Sequence, residues 1–240
     1  MRPHLVLVHG SRLSSTQWLP VLPHLEADAA VTLVDLPGHG ARVDEEFTMA
    51  RCVEVVDEAV RAVPDDELPV VVGHSLGGYV GMAYGADHGH RLAGLVLAGA
   101  STTPVGPGAA LYRGVAAVTD RIGPERMTRL NDRVLRRVYG AETIDPVIAG
   151  GYYFTPTAAA WSEVMTHCRP SMLSEVDAPV LLLNGQFDQF RLGYRAFVRA
   201  GRDVRVAIVP RASHMAPLDQ PAAFAAAVLR FARGLGHRAA

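Results

Sequence analysis

Lysine is missing from this chain of 240 residues: all 23 basic side chains are arginine. That removes any mechanism built on a Schiff-base amine or a proton-transferring lysine. Cysteine is nearly absent too. Cys52 and Cys168 are too few for a disulfide framework, so a cytoplasmic protein with free thiols is expected. No apolar run reaches the ~18 residues of a membrane span, and the N-terminus lacks the charged-then-apolar layout of a signal peptide. A net charge of −1 without a basic block argues against nucleic acid or an anionic membrane as partner. Internal repeats and low-complexity tracts are lacking, and no pair among His, Asp, Glu and Cys has a metal-site spacing.

What is present alternates. Val/Leu-rich runs near 4–9, 31–35, 69–74, 92–98, 179–184 and 203–209 read as strands buried on both faces. Helical patterns near 17–26, 49–63, 76–88, 191–200 and 219–233 lie between or after them. In the second, Met49, Val53, Val56, Val60 and Val63 recur every three or four residues, so one face packs on the sheet. This is the pattern of a parallel α/β sheet covered on both sides, within reach of one core of this length. Residues 101–177 break the alternation: they carry no strand, and Met127, Leu130, Val134, Leu135 and Val138 read as one helical face. The expected division is a core of 1–100 and 178–240, with 101–177 inserted.

The most informative stretch is Gly73-His74-Ser75-Leu76-Gly77, set between the strand Pro69-Val70-Val71-Val72 and the helix beginning Gly78-Tyr79-Val80. G-x-S-x-G in that context forms a sharp strand-to-helix turn whose neighbours must be glycine and whose serine hydroxyl stands exposed. A serine hydroxyl is a poor nucleophile at neutral pH. It needs an imidazole to take its proton and a carboxylate to orient that imidazole. Asp188 and His214 follow in order, each at the end of a strand. Asp35 also ends a strand, but one that precedes Ser75; Asp177 precedes its strand.

These residues resemble the α/β-hydrolases over nearly the whole chain. His9-Gly10 after the first strand is similar to that family's oxyanion loop. Asp35-Leu36-Pro37-Gly38-His39-Gly40 is similar to its next turn, and His214-Met215-Ala216-Pro217 to its histidine leading into a last helix. The resemblance implies a six-stranded, all-parallel sheet lacking the family's two leading strands, with 31–35 and 203–209 as its edges. It implies a helical lid over 101–177, a Ser75–His214–Asp188 triad, and an oxyanion hole from the backbone amides of Ser11 and Leu76, with no cofactor and no metal. Arg12 either projects toward the pocket to hold an anionic group or is a solvated loop arginine. Tyr79 is a further candidate for contact with the substrate; Tyr152, Tyr153 and Phe154 either line the pocket or form lid core, and lid residues Leu111, Tyr112 and Trp161 add to an apolar wall. His9, His39 and His74 are read as structural.

The function implied is hydrolysis of an ester, thioester or activated C–C bond in a small-molecule substrate; the oligomeric state is left open. The missing lysine separates the chain from the cyanohydrin lyases built on this fold. A second branch is the menaquinone-pathway lyases that eliminate pyruvate, similar in Pro210-Arg211-Ala212-Ser213-His214. That branch binds a carboxylate with an arginine where this chain has Tyr79, leaving Arg113, Arg129 or Arg133 to substitute. A third is a hydrolase-like small-molecule receptor.

Overall fold

A computed structural model describes residues 2–64, 66–102 and 123–235. Six strands form one sheet: β1 (His4–Val8), β2 (Ala30–Val34), β3 (Val70–His74), β4 (Gly94–Ala98), β5 (Val180–Gly185) and β6 (Val204–Val209). Their order is β2-β1-β3-β4-β5-β6 and every pairing is parallel, so the expected sheet and its two edges are found. Alternate strand residues divide between two cores. Val6, Val8, Val71, Leu95, Leu97 and Leu182 face α1 (Met49–Arg61) and α2 (Leu76–His88). Leu5, Leu7, Val70, Val72, Val96 and Leu183 face Trp18 and the last long helix of the chain. A period of two in a run of uniformly apolar residues thus serves two layers at once.

The chain leaves β1 toward β2 on one side and leaves β3 toward β4 on the other. The loops after β1 and β3 therefore diverge, and open a crevice at the carboxyl ends of two adjacent strands. Register keeps those ends level: Val8 pairs with Gly73, His74 with Ala98, and Ala98 with Leu183.

Between β4 and β5 lie α3 (Pro124–Tyr139), α4 (Ala141–Ile148) and α5 (Thr157–His167). Helix α5 joins the main core through Ala160, Trp161 and Val164. By contrast, α3 and α4 build a small separate cluster: Ile144 and Val147 pack with Leu13 and Leu218, flanked by Leu135 and Tyr139. The apolar face expected on α3 is divided. Met127 is buried, but Leu130, Val134 and Val138 are 45%, 50% and 63% exposed, because the helix is turned to set Leu135 and Tyr139 against the body. Leu111, Tyr112 and Arg113 lie outside the described residues.

Two other helical expectations need correction. Residues 17–26 form two short 3₁₀ turns, Ser15–Trp18 and Leu22–His24, since Pro20 and Pro23 offer no amide to continue an α-helix. The 191–200 segment starts as a 3₁₀ turn (Gln189–Gly193) before α6 (Tyr194–Ala200). The last pattern is found as α8 (Pro221–Arg233), opened by Pro221 and preceded by one further turn, α7 (Ala216–Asp219), that was not expected. No described helix is long and apolar enough to cross a membrane.

Candidate active site

Ser75 sits between β3 and α2 with φ 51° and ψ −113°, a region that L-residues occupy only under constraint. The constraint is visible. The Ser75 amide donates to the Ala98 carbonyl at 2.7 Å and the Gly77 amide to the His9 carbonyl at 3.1 Å. A Cβ on Gly73 would stand 2.1 Å from the Gly77 carbonyl oxygen, and one on Gly77 would stand 2.3 Å from that of Val8. Both glycines are demanded by backbone, which cannot yield. Gly78 belongs to the same packing, with its Cβ position 2.5 Å from the Cβ of Ala100.

The loops after β5 and β6 bring the other two residues to Ser75. The Phe187 amide donates to Ala212 at 2.9 Å, and the Arg211 amide to the Gln186 side chain at 2.9 Å. Across this lacing, His214 Nε2 lies 3.0 Å from Ser75 Oγ and His214 Nδ1 lies 3.1 Å from Asp188 Oδ1. Asp188 is buried, and the same Oδ1 accepts the Phe190 amide at 2.8 Å. The Phe190 ring stacks on His214 with centroids 4.5 Å apart. Asp35 is occupied elsewhere: it accepts the amides of Ser15 at 2.7 Å and Ala41 at 2.9 Å, tying two loops together.

Leu76 opens α2, so its amide has no carbonyl one turn earlier in the helix to bond. Ser11 follows Gly10 at the divergent end of β1. Both neighbouring amides are committed, Gly10 to Gln17 Oε1 at 3.0 Å and Gly77 to His9. A cavity of ≈ 200 Å³ opens beside Ser75, and Ser11, Arg12, Leu13, Gln17, Thr157, Trp161 and Met215 contribute to its wall.

Arg12 is thus at the cavity, in a left-handed conformation (φ 69°), its guanidinium 5.7 Å from the Phe154 ring centroid. Of the aromatic residues named from the sequence, Trp161 is on this wall, whereas Tyr79, Tyr152, Tyr153 and Phe154 are engaged elsewhere. Tyr79 is fully buried and donates to the Thr102 carbonyl. Tyr152 donates to Asp132 and stacks on Phe154, and Tyr153 donates to the Gly150 carbonyl beside His39. Arg129 and Arg133 are exposed on α3. Leu13, Gln17, Thr157 and Met215 are wall residues that the sequence did not single out. The only signals were proximity to Gly10 for the first two and to His214 for the last.

Three buried histidines stay neutral. His9 Nε2 accepts the Leu36 amide at 3.0 Å, which leaves its Nδ1 to donate to Gly10 at 2.7 Å. Burial is the chief cause that lowers His9 to about 3 and His74 to about 4, and it lowers His39 as well. An unfolded histidine takes its proton near pH ~6.5. Above that value these groups are neutral in both states and their contribution to stability is complete. As pH falls from there toward 4, the unfolded chain binds protons that folded His9 and His74 refuse. Stability should then drop by about 1.4 kcal/mol per pH unit for each of the two. Urea unfolding at neutral pH and one to two units lower measures this; coincident midpoints would contradict it.

The comparisons with known proteins agree with this architecture. Pimeloyl-[acyl-carrier protein] methyl ester esterase of Aromatoleum aromaticum is 38% identical over 122 residues, 49% of this chain and 47% of that protein. The match therefore spans about half the length of that relative. The 2-hydroxy-6-oxo-6-(2'-aminophenyl)hexa-2,4-dienoic acid hydrolase of Metapseudomonas resinovorans is 24% identical across 95% of this chain and 83% of its own. A thermophilic esterase from Thermogutta terrifontis superposes with a TM-score of 0.79 at 25% identity, covering 97% of this chain and 90% of that one. The family model described as the alpha/beta hydrolase family runs from residue 5 to residue 227, from the first strand to the last helix. With its parallel sheet, its strained serine turn and that match, the chain belongs to the α/β-hydrolase family.

Proposed function

We propose that this protein is a serine hydrolase that cleaves a carboxylic ester or thioester through an acyl-enzyme. The observation that carries the reading is the unbroken line Ser75 Oγ, His214 and Asp188, with contacts of 3.0 and 3.1 Å, on a serine held at φ 51°. In the forward step Ser75 Oγ attacks the substrate carbonyl while His214 Nε2 takes its proton. Asp188 holds the other ring nitrogen and stabilises the imidazolium. The carbonyl oxygen gains negative charge, met by the amides of Ser11 and Leu76. Collapse expels the alcohol or thiol, which receives the proton from His214. Water then repeats the sequence in reverse and frees the acid and Ser75.

The cavity of ≈ 200 Å³ favours a small group beside Ser75, and the methyl ester named in the Aromatoleum relative is of that size. The helices between β4 and β5 act in this reading as a lid, with Thr157 and Trp161 of α5 as the wall above the nucleophile. An anionic group would have Arg12 as its partner. The pyruvate-eliminating alternative draws no support from Tyr79, whose hydroxyl is committed to Thr102, or from the exposed Arg129 and Arg133.

Short-chain p-nitrophenyl esters and methyl esters should be hydrolysed without added metal or cofactor. Activity should fall with lengthening of the group on the cavity side. Inert esters together with elimination from an anionic cyclohexadiene would favour the lyase. Ligand-induced thermal shifts without turnover would favour a receptor.

A further inference from the structure

His74 lies inside the nucleophile turn, yet among the described residues its ring hydrogen-bonds to neither Ser75 Oγ nor Asp188. It bonds in two other directions. Its Nδ1 lies 3.2 Å from Gln17 Nε2, and its Nε2 lies 2.9 Å from the carbonyl oxygen of His214. Gln17 is fully buried and its Oε1 accepts the Gly10 amide at 3.0 Å.

One set of proton positions satisfies all three contacts. The Gly10 amide can only donate, so the oxygen of the Gln17 amide faces it and the NH₂ faces His74. His74 Nδ1 must then accept, and the remaining proton sits on Nε2, where it donates to the His214 carbonyl. A second proton on His74 would set two donors against each other, and burial holds the ring neutral, lowering it to about 4. Steric fit closes the arrangement: a Cβ on Gly10 would stand 2.9 Å from His74 Nδ1 and 3.2 Å from Gln17 Oε1. The His74 ring also packs beside that of His214, with centroids 5.2 Å apart.

The chain of bonds runs from the loop after β1, across the turn after β3, to the loop after β6. Its two ends are the residue preceding Ser11 and the backbone of His214. We propose that Gln17 and His74 are positioning residues acting as one unit, which fixes the oxyanion loop and the backbone of His214 relative to each other about Ser75. This rests on the serine hydrolase reading above. Neither residue touches the reacting atoms; each acts by keeping the Ser11 amide and the His214 ring in register with the serine. Misplacement of a reacting group by about 1 Å is enough to cost on the order of a hundredfold in rate.

The test is a double-mutant cycle on ester hydrolysis with Gln17→Met and His74→Phe, which keep approximate volume and remove the bonds. Each single variant should lose about tenfold to a hundredfold in kcat with KM changed less than about threefold. The double variant should be no slower than the worse single one, because breaking a unit twice costs little more than breaking it once. NMR of the imidazole nitrogens in the wild-type protein gives a readout independent of turnover and of any variant's folding: His74 should carry its proton on Nε2. Multiplying losses in the double variant, folded single variants with wild-type kcat, or a proton on Nδ1 would each overturn the unit. Fluorophosphonate labelling of wild-type Ser75 separates the two levels. If Ser75 labels and these outcomes fail, only the positioning unit is lost; if wild-type Ser75 does not label, both readings fall.

Discussion

Ser75→Ala should abolish covalent labelling by a fluorophosphonate and lower kcat on the order of 10⁵-fold, leaving the fold intact. The magnitude follows from the way such groups act together: without the nucleophile, His214 and Asp188 have nothing to activate, and only binding and the two amides remain. Alanine keeps the unfavourable φ of 51°, so this variant isolates the chemistry from the strain. Ser75→Gly separates them from the other side. Glycine accepts this backbone conformation freely, so the variant should be equally inactive yet resist urea no less well than Ser75→Ala. Intact-protein mass spectrometry and urea titration measure the two effects. Rapid labelling of Ser75→Ala at a different serine would remove Ser75 from its role.

Gly185→Ala should cost about 3 kcal/mol of stability and most of the activity. The added Cβ would stand 2.0 Å from the Ser213 carbonyl oxygen and 2.6 Å from that of Ala212. Both are backbone atoms of the loop that carries His214, so no side chain can rotate aside. Either the loop after β6 moves away from Asp188 or β5 and β6 part at their carboxyl ends, where Gly185 pairs with Val209. Thermal denaturation and kcat should report the two losses together. A variant with wild-type melting temperature and rate would mean that this loop adjusts at little cost.

Gly185 also marks where the sequence stops being legible. Gly73 and Gly77 could be read in advance, because the G-x-S-x-G spacing announces the turn within five residues, even though the backbone that Gly77 must clear belongs to Val8. Asp188 and His214 were readable because each ends an apolar run, and parallel strands deliver such ends to one edge of the sheet. Gly185 answers to a loop almost thirty residues away in sequence, and nothing near it announces that neighbour. The cavity wall was least legible. Tyr152, Tyr153 and Phe154 are aromatic and adjacent, but α3 and α4 turn them toward Asp132, Gly150 and Arg12. Trp161, named from the sequence, does reach the cavity, together with the unforeseen Thr157, because α5 is anchored in the main core. Helix orientation of this kind depends on which face finds a partner, and on α3 three apolar side chains in the expected stripe are left exposed.

The unequal anchoring of the helices between β4 and β5 has a consequence for how the molecule breathes. Ala160, Trp161 and Val164 of α5 share the largest apolar cluster, whereas α3 and α4 rest on a patch centred on Leu13, Ile144, Val147 and Leu218. Releasing α5 exposes the core that also holds α1 and α2, so its amides exchange only in the rarest openings. Releasing α3 and α4 uncovers far less apolar surface and is a sub-global event of lower free energy. The two attachments should make separate cooperative units of the helices between β4 and β5. Helix α5 brings Thr157 and Trp161 to the cavity wall, so in the lid reading proposed above its substitution should alter what fits beside Ser75. Helices α3 and α4 should detach and return many times for each global unfolding, which hydrogen exchange would show as lower protection than in α5.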